Sequence, residues 1–267
     1  MSVWLRLVVL LAASLAMSGA QAQVAPPLQL YAAGSLREAM TDIAQQFEAQ
    51  SGRKVVLTFG ASGLLRERIE KGEAAQVFAS ADMDHPQRLA QAGAWQAPGV
   101  FALNQMCALA APAVEVTPDT LLDAMLRPAV RVGTSTPKAD PSGDYAWALF
   151  RRADTVRPGA FAALDSKALQ LTGGADSPKP PAGRGTYGWV MDEGKADLFL
   201  TYCTNAVAAQ REVPRLKIVA VPESLQVSAR YGLTSRTGAD AGAAQLAQFI
   251  LSPAAQTVLR RYGFGQP

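Results

Sequence analysis

Apolar and polar positions along the chain fall into a repeating strand–helix rhythm. Leu28–Ala32 is a short apolar run closed by Gly34-Ser35. Leu36, Ala39, Met40, Ile43, Ala44 and Phe47 then recur at helical spacing until Gly52 stops the pattern. Val55–Phe59 predicts a second strand, Leu64–Lys71 a helix, Gln76–Ala79 a third strand and His85–Ala92 a helix ended by Gly93. Strands separated by helices imply a parallel sheet covered on both faces. A second set follows: strands at Met106–Ala111 and Val130–Gly133, helices near 118–125, 143–152 and 158–171, and a Gly/Pro-rich loop over 172–185. After that loop come a helix at 187–193, strands at 198–202 and 216–222, and helices at 239–250 and 253–262. There is no internal repeat. The pattern predicts two doubly wound α/β lobes joined by a hinge, with 23–104 and 208–267 forming a discontinuous first lobe and 105–207 the second. Ligands of such sheets bind at the carboxyl ends of strands.

Residues 1–22 change the picture of where this fold works. Arg6, the apolar run Leu7–Met17 and Ala20-Gln21-Ala22 form a signal-peptide pattern whose apolar core is too short to anchor in a bilayer. The mature chain is therefore expected in the periplasm, as a soluble monomer. In that oxidising compartment Cys107 and Cys203, the two cysteines of the 267-residue chain, are expected to pair.

Composition removes several function classes. The chain is 49% hydrophobic and 18% charged, as a globular protein is, and its net charge of +3 is too small and dispersed for a nucleic-acid binder. One histidine and two cysteines leave no conventional cationic metal site, and no cofactor is implied.

The candidate chemistry lies in serines at strand-to-helix junctions. Ser35, with Glu38 three residues on, has the spacing of a capping box. Ser62 sits between Gly60 and Gly63, and Ser142 opens a helix within Asp140-Pro141-Ser142-Gly143-Asp144. Each alone reads as a cap. Three together, beside glycines that admit close backbone approach, predict an anion held by hydroxyls and free N–H groups at helix starts. Donors of this kind favour a fully deprotonated oxyanion, because a protonated one brings a donor without an acceptor. Asp82 and Asp84 read as caps, His85 as a surface residue, Arg37 as solvent-facing, Asn104 as a hinge residue, and Trp95, Trp147 and Trp189 as packing.

Tyr31-Ala-Ala-Gly-Ser-Leu, Phe59-Gly-Ala-Ser-Gly, Val77-Phe-Ala-Ser-Ala-Asp82 and Leu200-Thr-Tyr resemble the periplasmic molybdate-binding proteins of ABC importers, almost end to end over the mature chain. The resemblance implies the type II periplasmic-binding-protein fold, an inner-membrane ABC permease as partner and no enzymatic activity. It also implies a ligand set of Ser35, Ser62 and Tyr202, with a backbone N–H at Ser142 or Gly143, around molybdate or tungstate. Two departures point to other anions. Arg184 stands near the position where the family has a small apolar residue, and could serve sulfate, phosphate or a small carboxylate. Asp140 and Asp144 bring carboxylates close to the pocket.

Two rival classes are weaker. A serine hydrolase would need a G-x-S-x-G elbow, absent around Ser62, and His85 as its base. A regulator's effector domain would carry a DNA-binding segment where the signal peptide stands.

Overall fold

The computed structural model describes residues 25–267, so the signal-peptide segment lies outside the described residues. β1 (Leu28–Ala33) pairs in parallel with β2 (Val55–Gly60) and β3 (Val77–Ser80). Five of the six β1 residues are buried, as expected of a parallel strand covered on both faces. α1 (Arg37–Ser51) buries Ala39, Met40, Ile43, Ala44 and Phe47, the stripe read from the sequence. It ends at Gly52, whose φ of +70° favours glycine. α2 (Ser62–Glu70) and α3 (Asp84–Gln91) follow β2 and β3.

β4 (Gly99–Ala110) is longer than predicted because its two halves pair with different strands. Its first half, Gly99–Gln105, pairs antiparallel with β9 (Ser228–Ser235), which continues onto β3. Its second half, Met106–Ala110, pairs antiparallel with β7 (Leu198–Tyr202), and the far side of Cys107–Ala110 pairs with β8 (Lys217–Ala220). β5 (Val132–Ser135) runs parallel to β7 and to β6 (Leu169–Thr172). The result is one curled sheet in the order β2-β1-β3-β9-β4-β7-β5-β6, with β8 on β4. α4 (Leu121–Leu126), α5 (Pro141–Val156), α6 (Ala160–Lys167), α7 (Thr186–Asp192) and α8 (Cys203–Glu212) surround the second half, and α9 (Ala241–Ile250) and α10 (Pro253–Arg261) close on the first.

Other elements also differ from the sequence reading. The predicted helix over 158–171 stops at Lys167, and Leu169–Thr172 becomes strand β6 on β5. α8 and β9 were not read at all. β8 pairs with β4 over Cys107–Ala110, and the chain then returns along β4 and β3 through β9.

Cys107 on β4 and Cys203 at the start of α8 form a disulfide, their Cα atoms 4.8 Å apart. Among the described residues no helix is long and apolar enough to cross a membrane.

Candidate functional site

A cleft of about 1160 Å³ opens where β1, β2, β3 and β7 end. Its walls include Ser35 and Ser62 from the first half and Tyr202 and Arg184 from the second. The two halves touch beside it. The Gly63 N–H donates to the Ala139 carbonyl (2.9 Å), Tyr202 Oη donates to the Ala81 carbonyl (3.4 Å), and Glu38 meets Arg211 at 3.7 Å.

The serines are not the caps their spacing suggested. Ser35 lies inside a 3-10 turn, Gly34–Leu36, with no side-chain cap, and its Oγ is 2.9 Å from Tyr231 Oη. Glu38, its expected capping-box partner, is exposed and faces Arg211 instead. Ser62 is the first residue of α2, one position past the N-cap Ala61. Its buried Oγ accepts from the Ala81 N–H (3.1 Å), tying α2 to the loop after β3. Neither side chain caps a helix, and both residues line the cleft.

Ser142 and Gly143 are buried and do not line the cleft. The reason is Asp140, the true N-cap of α5. Its Oδ1 accepts from the Ser142 N–H (3.1 Å) and its carbonyl from the Gly143 N–H (2.8 Å), so neither amide is left for a ligand. The Ser142 Oγ has no partner among the described residues. Asp140 itself lines the cleft, and burial pushes its carboxyl up to about 6.

Arg184 lines the cleft with its charge already matched. Nη2 donates to Asp192 (3.0 Å) and Nε to Glu212, which also accepts from the Gly185 N–H at 2.8 Å. Arg215 shares Asp192, whose pKa is lowered first by Arg184 and then by Arg215. The guanidinium fork that sequence reading offered to a ligand is thus engaged by carboxylates of its own half. Arg37, also on the cleft wall, is exposed and lies 4.6 Å over the Phe59 ring.

His85 is a correction. It is 5% exposed rather than superficial, with both ring nitrogens lacking hydrogen-bond partners, and burial followed by Arg66 lowers its pKa to about 4. Its nearest carboxylate is Asp82 at 3.7 Å, and no serine bonds it, so the geometry of a hydrolase triad is missing. Asp82 accepts from Ser80 Oγ (2.7 Å) and the His85 N–H (3.3 Å), and burial raises its carboxyl to about 6. Among the described residues no group of three or more His, Cys, Asp or Glu side chains is arranged to hold a metal ion.

Tyr231 and Glu212 went unread, Tyr231 because β9 was missed. The alternation of Ala229, Tyr231 and Leu233 with polar or small neighbours was the available signal. Asn104, read as a hinge residue, sits on β4 where it crosses between the halves and bonds Tyr231 and Thr204.

The sequence model of the bacterial extracellular solute-binding protein family matches residues 28–265. The chain belongs to this family. Among relatives of this solute-binding protein, an uncharacterized protein of Pasteurella multocida is 36% identical over 89% of this chain and 98% of its own length. The molybdate-binding protein ModA of Escherichia coli is 28% identical over 98% of this chain and 97% of its own. Among solved structures, the periplasmic molybdate-binding protein of Azotobacter vinelandii superposes with a TM-score of 0.67 at 20% identity, covering 90% of this chain and 99% of that one. The sulfate-binding protein SubI of Mycobacterium tuberculosis gives 0.74 at 19% identity, covering 90% and 86%. These likenesses establish the two-lobe type II binding-protein fold for this solute-binding protein.

Proposed function

We propose that this solute-binding protein captures a small tetrahedral oxyanion of the molybdate or tungstate class in the periplasm and delivers it to an inner-membrane ABC permease. It acts as a monomer, without cofactor or covalent chemistry. The first lobe comprises β1–β3 with the chain after β9, the second the β4–β8 region, and closure about the crossing strands β4 and β9 encloses the anion. The observation that carries this reading is that Ser35, Ser62 and Tyr202 come from separate strand ends of both lobes and line one cleft. Hydroxyl donors, rather than a counter-ion, then compensate the charge. Ser142 and Gly143 are left out of the proposed set because Asp140 takes up their N–H groups. Arg184 contributes at most through its field, since Asp192 and Glu212 hold it. That pairing favours the molybdate reading over one in which Arg184 grips sulfate, phosphate or a carboxylate.

The test is a melting-point panel with molybdate, tungstate, sulfate, phosphate and small carboxylates, followed by calorimetry. A ligand at 100 times its Kd stabilises by about 2.7 kcal/mol. Molybdate and tungstate should rank first. A carboxylate ranking above every tetrahedral anion would contradict the proposal.

A further inference from the structure

We propose that Asn104, acting through Tyr231, is a positioning residue that fixes Ser35 as a hydrogen-bond donor to the cleft and so sets the site's preference for fully deprotonated anions. This rests on the oxyanion reading above. The argument follows one chain of hydrogen bonds from its fixed end. Asn104 Oδ1 accepts from the Gln105 N–H at 2.9 Å, which settles the orientation of the amide. Nδ2, a donor with no lone pair to offer, therefore faces Tyr231 Oη (3.2 Å) and Thr204 Oγ1 (2.9 Å). Tyr231 Oη thus accepts a hydrogen bond from Asn104, and its own proton needs an acceptor.

Tyr231 is fully buried, so a stranded hydroxyl proton would be costly. Ser35 Oγ, 2.9 Å away, is the acceptor within reach. Burial also raises the Tyr231 phenol well above its ordinary pKa, so it keeps that proton. With one lone pair of Ser35 occupied by Tyr231, the serine's own proton is free for the cleft. Ser62 is polarised in the same sense by different means, because its Oγ accepts from the Ala81 N–H. Both serines thus meet the ligand as donors. A dianion without protons satisfies both, whereas a protonated oxyanion sets its O–H against donors. Asn104 is on β4 and Tyr231 on β9, so the relay is built on the two strands that join the lobes.

Asn104→Asp reverses the relay. The carboxylate accepts from Tyr231, Ser35 must then donate to Tyr231, and its oxygen turns to the cleft as an acceptor. Calorimetry with molybdate and with inorganic phosphate at pH 7.5 reads the change, with a thermal melt of each variant to verify folding. N104D should weaken molybdate about tenfold or more, as for one lost hydrogen bond to a charged group, and should lower the molybdate-to-phosphate affinity ratio. Tyr231→Phe cuts the relay and frees Ser35 to act either way, so it should lower the same ratio with a smaller loss of molybdate affinity.

The double variant N104D/Y231F separates polarity from the added charge. It should bind molybdate several-fold tighter than N104D, because without the phenol the carboxylate cannot turn Ser35. A double variant as weak as N104D, or N104D binding molybdate like the wild type, overturns the relay while leaving the oxyanion reading intact. Should N104D not fold, an unchanged ratio in Y231F overturns it alone. A wild-type protein that binds neither probe defeats the oxyanion reading itself, and the relay with it.

Discussion

The N–H of Gly63, in the first turn of α2, donates to the carbonyl of Ala139, just ahead of α5, at 2.9 Å. This bond joins the lobes at one lip of the cleft, and glycine is required there. A Cβ on Gly63 would lie 2.3 Å from the Lys138 carbonyl oxygen and 2.7 Å from that of Ala139, both backbone atoms that cannot swing aside. Gly63→Ala should therefore hold the lobes apart without harming the fold, since alanine favours a helix over glycine by about 1 kcal/mol. The expected result is an anion affinity at least about tenfold weaker, as for 1.4 kcal/mol of lost closure energy. The melting point without ligand should be close to that of the wild type. Small-angle scattering of the anion-saturated protein would show a larger radius of gyration than the wild type. An unaltered affinity would mean that this contact plays no part in closure.

A second contact between the halves, on the cleft wall, is of a different kind. Glu38 and Arg211 are more than half exposed and 3.7 Å apart, a pair worth about 0–1 kcal/mol. Glu38→Gln should shift anion affinity by no more than about fivefold, and even that shift should disappear at high salt. Titrations at low and high ionic strength would reveal any larger or salt-independent effect, which would assign this pair a direct ligand role.

Ser35 and Ser62 each carry a structural duty beside their proposed place in the site. Ser62→Ala removes a proposed ligand donor and also strands the Ala81 N–H, so unfolding stability without ligand should fall by about 1–3 kcal/mol. Ser35→Ala removes the other proposed donor and strands the buried Tyr231 hydroxyl, so it should cost a comparable amount, about 1–3 kcal/mol. Each should weaken the anion by about 1.5–3 kcal/mol, the worth of a hydrogen bond to a charged group. Urea denaturation and calorimetry on the two singles and the double test both halves. Wild-type affinity in the double would remove the serines from the site.

The pattern of the chain made the first lobe legible because each of its helices begins and ends on sharp signals. Gly52 and Gly93 both carry the positive φ their position implies, and the α1 stripe is the buried stripe. Ser35, Ser62 and Tyr202 were legible as cleft residues because they end a strand or directly follow one, and strand ends are where such sheets open. What stayed hidden depends on partners distant in sequence. β9 departs from clean alternation at Gly232, beside which Pro86 and the Asp82 carbonyl leave no room for a Cβ. The short β6 is a strand only because β5 lies beside it. Periodicity could not tell that Asp140 would claim the α5 N-terminus, or that Glu212, from the end of α8, would meet Arg184.

The Cys107–Cys203 bond closes a span of 96 residues and holds the start of α8 against β4, directly after Tyr202. On loop-closure grounds such a crosslink stabilises by about 4–5 kcal/mol. Cys107→Ala/Cys203→Ala, or reduction of the wild type, should lower the melting point by roughly 10–15 °C for a chain of this size. A fall of only a degree or two would mean that the unfolded chain is already constrained elsewhere.

Asp140 supplies a pH-dependent prediction with a defined sign. Burial raises its native carboxyl from 3.8 to about 6, so between those values the folded protein binds more protons than the unfolded chain. Its contribution is therefore most favourable below about pH 4 and is lost as pH rises through 6. Asp82, also raised to about 6, acts in the same direction. His85, lowered to about 4, acts oppositely: protonation favours its unfolded state, so stability rises as pH climbs from 4 towards 6.5. These opposed trends blunt the wild-type curve, and a single substitution isolates one of them. Asn is as good an N-cap as Asp and still accepts from the Ser142 N–H. Asp140→Asn should match the wild type near pH 4 and exceed it by about 1–2 kcal/mol at pH 8. That is less than the ~3 kcal/mol an unscreened two-unit shift would carry, because the residue is only partly buried in the cleft wall. Urea unfolding at pH 4, 6 and 8 measures the difference directly. A stability gap that stays constant across that range would show that the Asp140 carboxyl titrates like an exposed one.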